Sequence, residues 1–271
     1  IDADEEIFEM NNGCICCTVR GDLIRILGGL MKRADQLDGI LIETTGLADP
    51  SPMVQTFFVD DDLRDRLALD AIVTVADAKH FLATVDEAHE CEEQIAFADI
   101  VLLNKTDLAS PDELAAVEAK IRSLNPFATI HRTAHAGIGL DSVLARGAFD
   151  LKRLLEIEPG FLEEDPEDHE HDDSITSVSL RVSRPIAPDR FSEWMRKLVM
   201  ERGVDILRSK GILALAGHEQ RYVFQGVHMV MDSDWGGDWR DGESRESRLV
   251  FIGRNPAAAE LETGFAGCAV S

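Results

Sequence analysis

Short, continuous apolar runs alternate with amphipathic stretches over the first 155 residues. Residues 39–42 (Gly-Ile-Leu-Ile), 71–75 (Ala-Ile-Val-Thr-Val), 100–103 (Ile-Val-Leu-Leu) and 129–130 (Thr-Ile) lack polar alternation. They are also too short for helices, which suits strands buried on both faces of a sheet. Between them, residues 23–34, 87–98 and 112–124 carry helical spacing, and Ser110-Pro111 supplies a cap and a first helical residue for the last of these. Strand and helix in alternation predict a parallel α/β sheet with right-handed crossovers. Ligands in such sheets sit at the carboxyl ends of the strands. After residue 174 the pattern changes to strands over 175–182, 206–216, 222–231 and 248–252, with helices over 188–200 and 256–265. That order predicts a smaller α+β layer with its helices on one face.

The 271 residues exceed one average domain. The break is expected at residues 156–173, which hold ten acidic residues, two prolines and no Lys or Arg. Self-repulsion and low hydrophobicity oppose folding there. The expected organisation is therefore a domain over 1–155, an acidic linker over 156–173 and a second domain over 174–271. Within the linker, His169-Glu-His-Asp-Asp173 reads either as a loose divalent-cation site or as a plain acidic tether. A net charge of −24 argues against a broad surface for nucleic acid or anionic membrane. No stretch has the apolar length of a membrane span and no charged-then-apolar leader opens the sequence, so the expectation is a cytoplasmic protein. Five cysteines, an odd number, fit a reducing compartment better than a disulfide framework.

Three of those cysteines, Cys14, Cys16 and Cys17, lie within four residues, behind Glu9 and Asn11-Asn12. Thiolates select zinc and similar soft ions over magnesium or calcium. Buried inert thiols, or a redox pair formed by the C-x-x-C of Cys14 and Cys17, are the other readings.

Two strand ends carry further chemistry. Asn104-Lys105-Thr106-Asp107 follows the third apolar run and looks like the guanine-reading N-K-x-D of GTPases. A carboxylate such as Asp107 accepts from both N1–H and the exocyclic amine of guanine, a pattern adenine lacks; Asn104 adds polar contacts and the Lys105 stem covers the base face. An ordinary Asn/Asp turn is the alternative. Glu43, with Gly46 three residues on, ends the first run. In nucleotide hydrolases this position holds a carboxylate acting on Mg²⁺ or its water, and a glycine N–H near the terminal phosphate; a turn-capping Glu is the alternative. Thr133-Ala134-His135 follows the fourth run and is placed to touch the base from its far side.

In this order, the cysteine loop, the E-x-x-G strand and N-K-x-D resemble the CobW family of metal-handling P-loop GTPases. The resemblance runs nearly end to end through Asn12-Gly-Cys-Ile-Cys-Cys-Thr-Val-Arg20, Glu43-Thr-Thr-Gly-Leu-Ala-Asp-Pro50, Gln94-Ile95 before Ala98-Asp99, Asn104-Lys-Thr-Asp107 and Leu124-Asn-Pro126. Ser183-Arg-Pro185, Lys210-Gly211, Gln225-Gly-Val227 and Leu249-Val-Phe-Ile-Gly253 look like the family's smaller C-terminal domain. The resemblance implies a P-loop GTPase fold and a cargo of zinc or cobalt on Cys14, Cys16 and Cys17. It also implies GTP with Mg²⁺ at Glu43, Gly46, Asn104, Lys105, Asp107, Thr133 and Ala134, and hydrolysis coupled to release of the ion to a client metalloprotein. A homodimer is compatible with it. A metal buffer or redox-sensing thiol protein without hydrolysis is the rival reading.

One departure stands out. No Gly is followed by Lys, so G-x-x-x-x-G-K-[ST] is absent and with it the phosphate cradle. The expectation is that a first strand, P-loop and helix precede Ile1 in the parent protein, leaving the sheet incomplete at its N-terminal side and the chain poorly stable or associating. In the second domain, Trp194, Trp235 and Trp239 read as packing residues rather than a ligand cage. His218 and His228 read as polar strand residues, with metal acceptance after release as the alternative.

Overall fold

The computed structural model describes residues 18–44, 46, 49–85, 88–149, 175–239 and 243–270. In the first part, strands β1 (Val73–Asp77), β2 (Ile100–Asn104) and β3 (Thr129–Arg132) form a parallel sheet in that order. Around it run helices α1 (Thr18–Leu30), α2 (Ser51–Val59), α3 (Asp61–Arg64), α4 (Phe81–Val85), α5 (His89–Phe97) and α6 (Pro111–Leu124). The central strand β2 buries Ile100 through Leu103 on both faces, as its unbroken apolar run requires. Helix α6 starts where the sequence places it. Ser110 Oγ accepts the Glu113 N–H at 3.3 Å, while the Glu113 carboxylate accepts the Ser110 N–H at 2.7 Å. Its inner stripe of Leu114, Val117, Ile121 and Leu124 has the spacing of one helical face.

The first expected strand is not one. Residues 39–42 belong to no ladder among the described residues, and Leu41 is 89% exposed. An apolar run supplies side chains for a strand, but a strand exists only where a neighbour accepts and donates its backbone hydrogen bonds. The second run is likewise less buried than expected. β1 lies at the sheet edge, and Val75 on it is 60% exposed. The expected helix over 23–34 begins earlier, at Thr18, and tightens from Met31 into a 3₁₀ segment, with Arg33 at φ −132° out of helical geometry.

The second part is a five-stranded antiparallel sheet in the order β4-β8-β5-β6-β7. Its strands are β4 (Ile175–Val182), β5 (Ile206–Ala214), β6 (Gln220–Val227), β7 (Val230–Asp238) and β8 (Ser247–Arg254). Two helices, α7 (Pro188–Arg202) and α8 (Ala258–Gly267), cover one face, as predicted. They press Phe191, Met195, Leu261 and Phe265 onto Leu180, Leu213, Phe224, Leu249 and Phe251. The run over 222–231, expected as one strand, is a hairpin: the chain reverses at His228-Met229, with His228 at φ 51°. β7 escaped the sequence reading because Asp232, Ser233, Asp234, Gly236 and Gly237 are poor strand formers. His218 and His228 thus sit in turns and not in strands. The tryptophans pack: Trp194 stacks on Phe265 at 5.8 Å, Trp235 lies 4.6 Å from His218, and Trp239 is buried under Arg221.

The other face of this sheet closes on the first part. Ile212, Ala214, Val223, Val250 and Ile252 share one core with Phe97, Val117, Ile121 and Leu124. Charges are buried in the same seam. Arg208 donates to the Phe97 carbonyl and pairs with Asp99; Lys210 lies 3.7 Å from the same carboxylate, and the second Asp99 oxygen accepts the Ile72 N–H at 2.9 Å. Arg254 pairs with Glu93.

Candidate functional site

The carboxyl ends of β1, β2 and β3 meet at one edge of the parallel sheet. Asp77 and Asn104 are register partners at the ends of β1 and β2, and the Ala78 N–H donates to the Asn104 carbonyl at 2.9 Å just beyond the ladder. The Asn104 side-chain oxygen accepts the Ala136 N–H at 2.8 Å and the Thr133 hydroxyl at 3.2 Å. In return, the Thr133 carbonyl accepts both the N–H and the hydroxyl of Thr106, at 3.1 and 2.9 Å. The loops 104–107 and 133–136 are therefore laced together, although 29 residues separate their asparagine and threonine.

Backbone shape follows from this lacing. Lys105, His135 and Ala136 all take left-handed φ, at 61°, 55° and 51°. Residues bearing a Cβ occupy that region only where the surroundings fix it. Asp107 and Ala134 are exposed and free to face a ligand, while Thr133 is buried. The Thr133 hydroxyl donates to Asn104, so Thr133 shapes the loop, while Ala134 beside it stays exposed.

A residue the sequence reading passed over completes this corner. Asp77 accepts from Lys105 Nζ at 2.7 Å, from the Lys79 and His80 N–H groups at 2.9 and 3.3 Å, and meets His80 Nδ1 at 3.0 Å. Burial pushes its carboxyl up, but the hydrogen bonds from Lys105, His80 and the two backbone groups outweigh this and hold it well below the usual carboxylate range. The sequence signal was positional: Asp77, like Glu43 and Asn104, ends an apolar run.

Glu43 and Gly46 are both exposed. The Gly46 carbonyl accepts from Gln94 Nε2 at 3.0 Å, which ties the loop after Glu43 to helix α5. This gives physical content to the Gln94 of the resemblance, whose side chain had no assigned contact in the sequence. Cys14, Cys16, Cys17, Glu9, His169 and His171 lie outside the described residues. Among the described residues no group of three or more His, Cys, Asp or Glu side chains could hold a metal ion. The two described cysteines are poor ligands. Burial pushes the Cys268 thiol up to about 11, and burial with Glu90 and Glu92 raises that of Cys91.

Comparison with known proteins bears on the family and the fold. Residues 1–132 match the CobW/HypB/UreG nucleotide-binding domain, and residues 175–269 match the cobalamin synthesis protein CobW C-terminal domain. The zinc chaperone YjiA of Escherichia coli is 32% identical over 271 residues, covering 98% of this chain and 83% of the relative. A zinc chaperone CobW of Pseudomonas aeruginosa is 33% identical, covering 93% of this chain and 72% of the relative. The zinc-regulated GTPase metalloprotein activator 1 of Schizosaccharomyces pombe is 33% identical, and the match spans 84% of this chain but only 63% of that longer protein. The crystal structure of Zn(II)-bound YjiA GTPase superposes with a TM-score of 0.78 at 29% identity, over 92% of this chain and 76% of that one. With a parallel sheet carrying N-K-x-D at its strand ends and an antiparallel sheet behind it, both matched in order, the chain belongs to the CobW family of nucleotide-binding proteins.

Proposed function

We propose that the chain is the guanine-reading and metal-carrying part of a GTP-dependent metallochaperone. The observation that supports it most is the laced corner of Asn104, Lys105, Asp107 and residues 133–136. It leaves Asp107 exposed beside a fixed Lys105, as base recognition requires. Asp107 accepts N1–H and the exocyclic amine of guanine; Lys105 covers the face of the base; Asn104 holds the second loop, from which Ala134 reaches the base edge. Glu43 would act on Mg²⁺ or its water, and Gly46 offers its N–H to the terminal phosphate, with Gln94 steadying the following peptide. Hydrolysis converts GTP and water to GDP and phosphate. Mg²⁺ would share the site with Glu43 and, when bound, would neutralise charge on the phosphates, but the sequence holds no G-K-[ST] hydroxyl to complete its shell.

Zinc, or cobalt in its place, is cargo. Cys14, Cys16 and Cys17 bind it as thiolates, releasing protons on binding. Loss of the γ-phosphate contact at Gly46 then loosens the neighbouring segment and hands the ion to a client metalloprotein. One sequence fact favours the rival, a thiol buffer without hydrolysis, namely the missing G-K. Two titrations separate them. Cobalt(II) should give a thiolate charge-transfer band that vanishes in the Cys14/Cys16/Cys17→Ser triple variant, and saturation-transfer NMR should show guanosine bound in preference to adenosine. The cobalt band without guanosine preference would leave the thiol buffer; a band that survives the triple variant would move the metal elsewhere.

A further inference from the structure

We propose that Asp77 is a positioning residue for nucleobase binding, acting through Lys105. The inference rests on the guanine reading above and adds to it a residue outside the N-K-x-D string. Its basis is geometric. Lys105 sits at φ 61°, a backbone conformation that side chains with a Cβ rarely adopt, and its ammonium is drawn 2.7 Å from Asp77 across to the neighbouring strand end.

An exposed ion pair is ordinarily a weak, mobile contact because two long side chains lose freedom to form it. Here one partner is fixed beforehand. The Asp77 carboxylate is short, sits on a strand in register with Asn104, and is gripped by the Lys79 and His80 N–H groups and by the His80 ring. Ordering therefore falls on Lys105 alone, and it is completed before a ligand arrives. A lysine whose head is anchored sideways presents its four-carbon stem as a fixed apolar ledge, which is the part that covers a base. The charges facing Asp77 from every packed element agree with this. Lys105 and His80 point toward it, whereas Lys79 turns its ammonium 2.7 Å from Glu113 on α6 and leaves Lys105 the Asp77 carboxylate.

A residue acting on the stem over the base face differs in effect from one reading the base edge. Removing the Asp77 charge should weaken guanosine and inosine by the same factor, since the two differ only in the exocyclic amine that Asp107 reads. The Asp77→Asn variant keeps the shape of the side chain and its capacity to accept the Lys79 N–H. Lys105→Met, on an exposed side chain, tests the same link from the other end.

The experiment measures guanosine, inosine and adenosine affinities of the 271-residue chain by saturation-transfer NMR, with thermal melting as a check on folding. Asp77→Asn is expected to weaken guanosine and inosine by about 3- to 10-fold each, keep their ratio, and add little to Lys105→Met in the double variant. Unchanged guanosine affinity, a changed guanosine-to-inosine ratio, or losses that add in full would each overturn the assignment. If the unmodified chain shows no preference for guanosine over adenosine, the guanine reading itself fails and the role of Asp77 falls with it.

Discussion

Asn104 and Asp107, three positions apart, do different work because their surroundings differ. Asn104 is half-buried and its oxygen is committed to Thr133 and Ala136, whereas Asp107 is exposed. Substitutions at the two should therefore fail differently. Asp107→Asn should cost guanosine about 1.5–3 kcal/mol and transfer preference to xanthosine, since an amide donates to the new carbonyl that a carboxylate repels. Competition between the two nucleosides measures it, and a guanosine-over-xanthosine preference unchanged in the variant would sink the role of Asp107. The string Asn104 to Asp107 was legible in the sequence because four residues in a fixed order behind an apolar run are a specific signal. Asp77 was not. One carboxylate among 51 acidic residues says nothing until the register of β1 and β2 sets it opposite Asn104 and beside Lys105.

Among the elements, α6 shows why some boundaries could be read directly and 39–42 shows why others could not. The start of α6 is written locally, in Ser110, Pro111 and Glu113, whose contacts lie within one turn. Whether 39–42 joins a sheet depends on a neighbour that its own residues do not specify. The capping box has a pH consequence. Hydrogen bonds from Lys79 and Ser110 hold the Glu113 carboxyl down to about 2 against an ordinary value of 4.5, so its contribution to folding is complete above 4.5. That contribution is lost as pH falls from 4.5 through 2, and Glu113→Gln should flatten that part of an acid titration followed by circular dichroism. At the far end of the same helix, Asn125 is 1% exposed and its amide donates to the carbonyls of Ile95, Ala96 and Ala98 at the close of α5. Asn125→Ala leaves those buried acceptors unmet and should cost about 1–3 kcal/mol in urea denaturation. A loss below about 0.5 kcal/mol would mean that water replaces the amide at the end of α5.

At the scale of the whole molecule, the sequence divided the chain at the acidic stretch 156–173, yet the described residues on either side of it share a core. Nothing in the hydrophobic pattern announced this, because residues that face a second sheet and residues that face helices alternate along the same strands. Composition did foreshadow the phosphate problem. With no Gly-Lys in 271 residues, base contacts alone cannot supply the attraction that backbone donors and a P-loop lysine give a triphosphate, so calorimetry with GTP and Mg²⁺ should show no submicromolar binding. The seam between the sheets yields the sharper test. Asp99 is buried with Arg208 and Lys210 from β5, holds the Ile72 N–H ahead of β1, and directly follows the Ala98 carbonyl that Asn125 binds. Deleting one member of a buried charge cluster leaves its partners desolvated and unmatched, at a cost of about 3–5 kcal/mol. Since Trp194 and Trp235 pack on the helix-covered core of the second part and only Trp239 reaches the shared seam, their fluorescence reports mainly the second part, while far-ultraviolet circular dichroism reports both. The unmodified chain should unfold in urea with the two signals coincident. In Asp99→Ala both midpoints should fall, and the dichroism should begin to change before the fluorescence, as the first part loosens from a second sheet that keeps its own helix-covered core. Coincident curves shifted by less than about 1 kcal/mol would show that the apolar seam, and not the Asp99 cluster, joins the two parts.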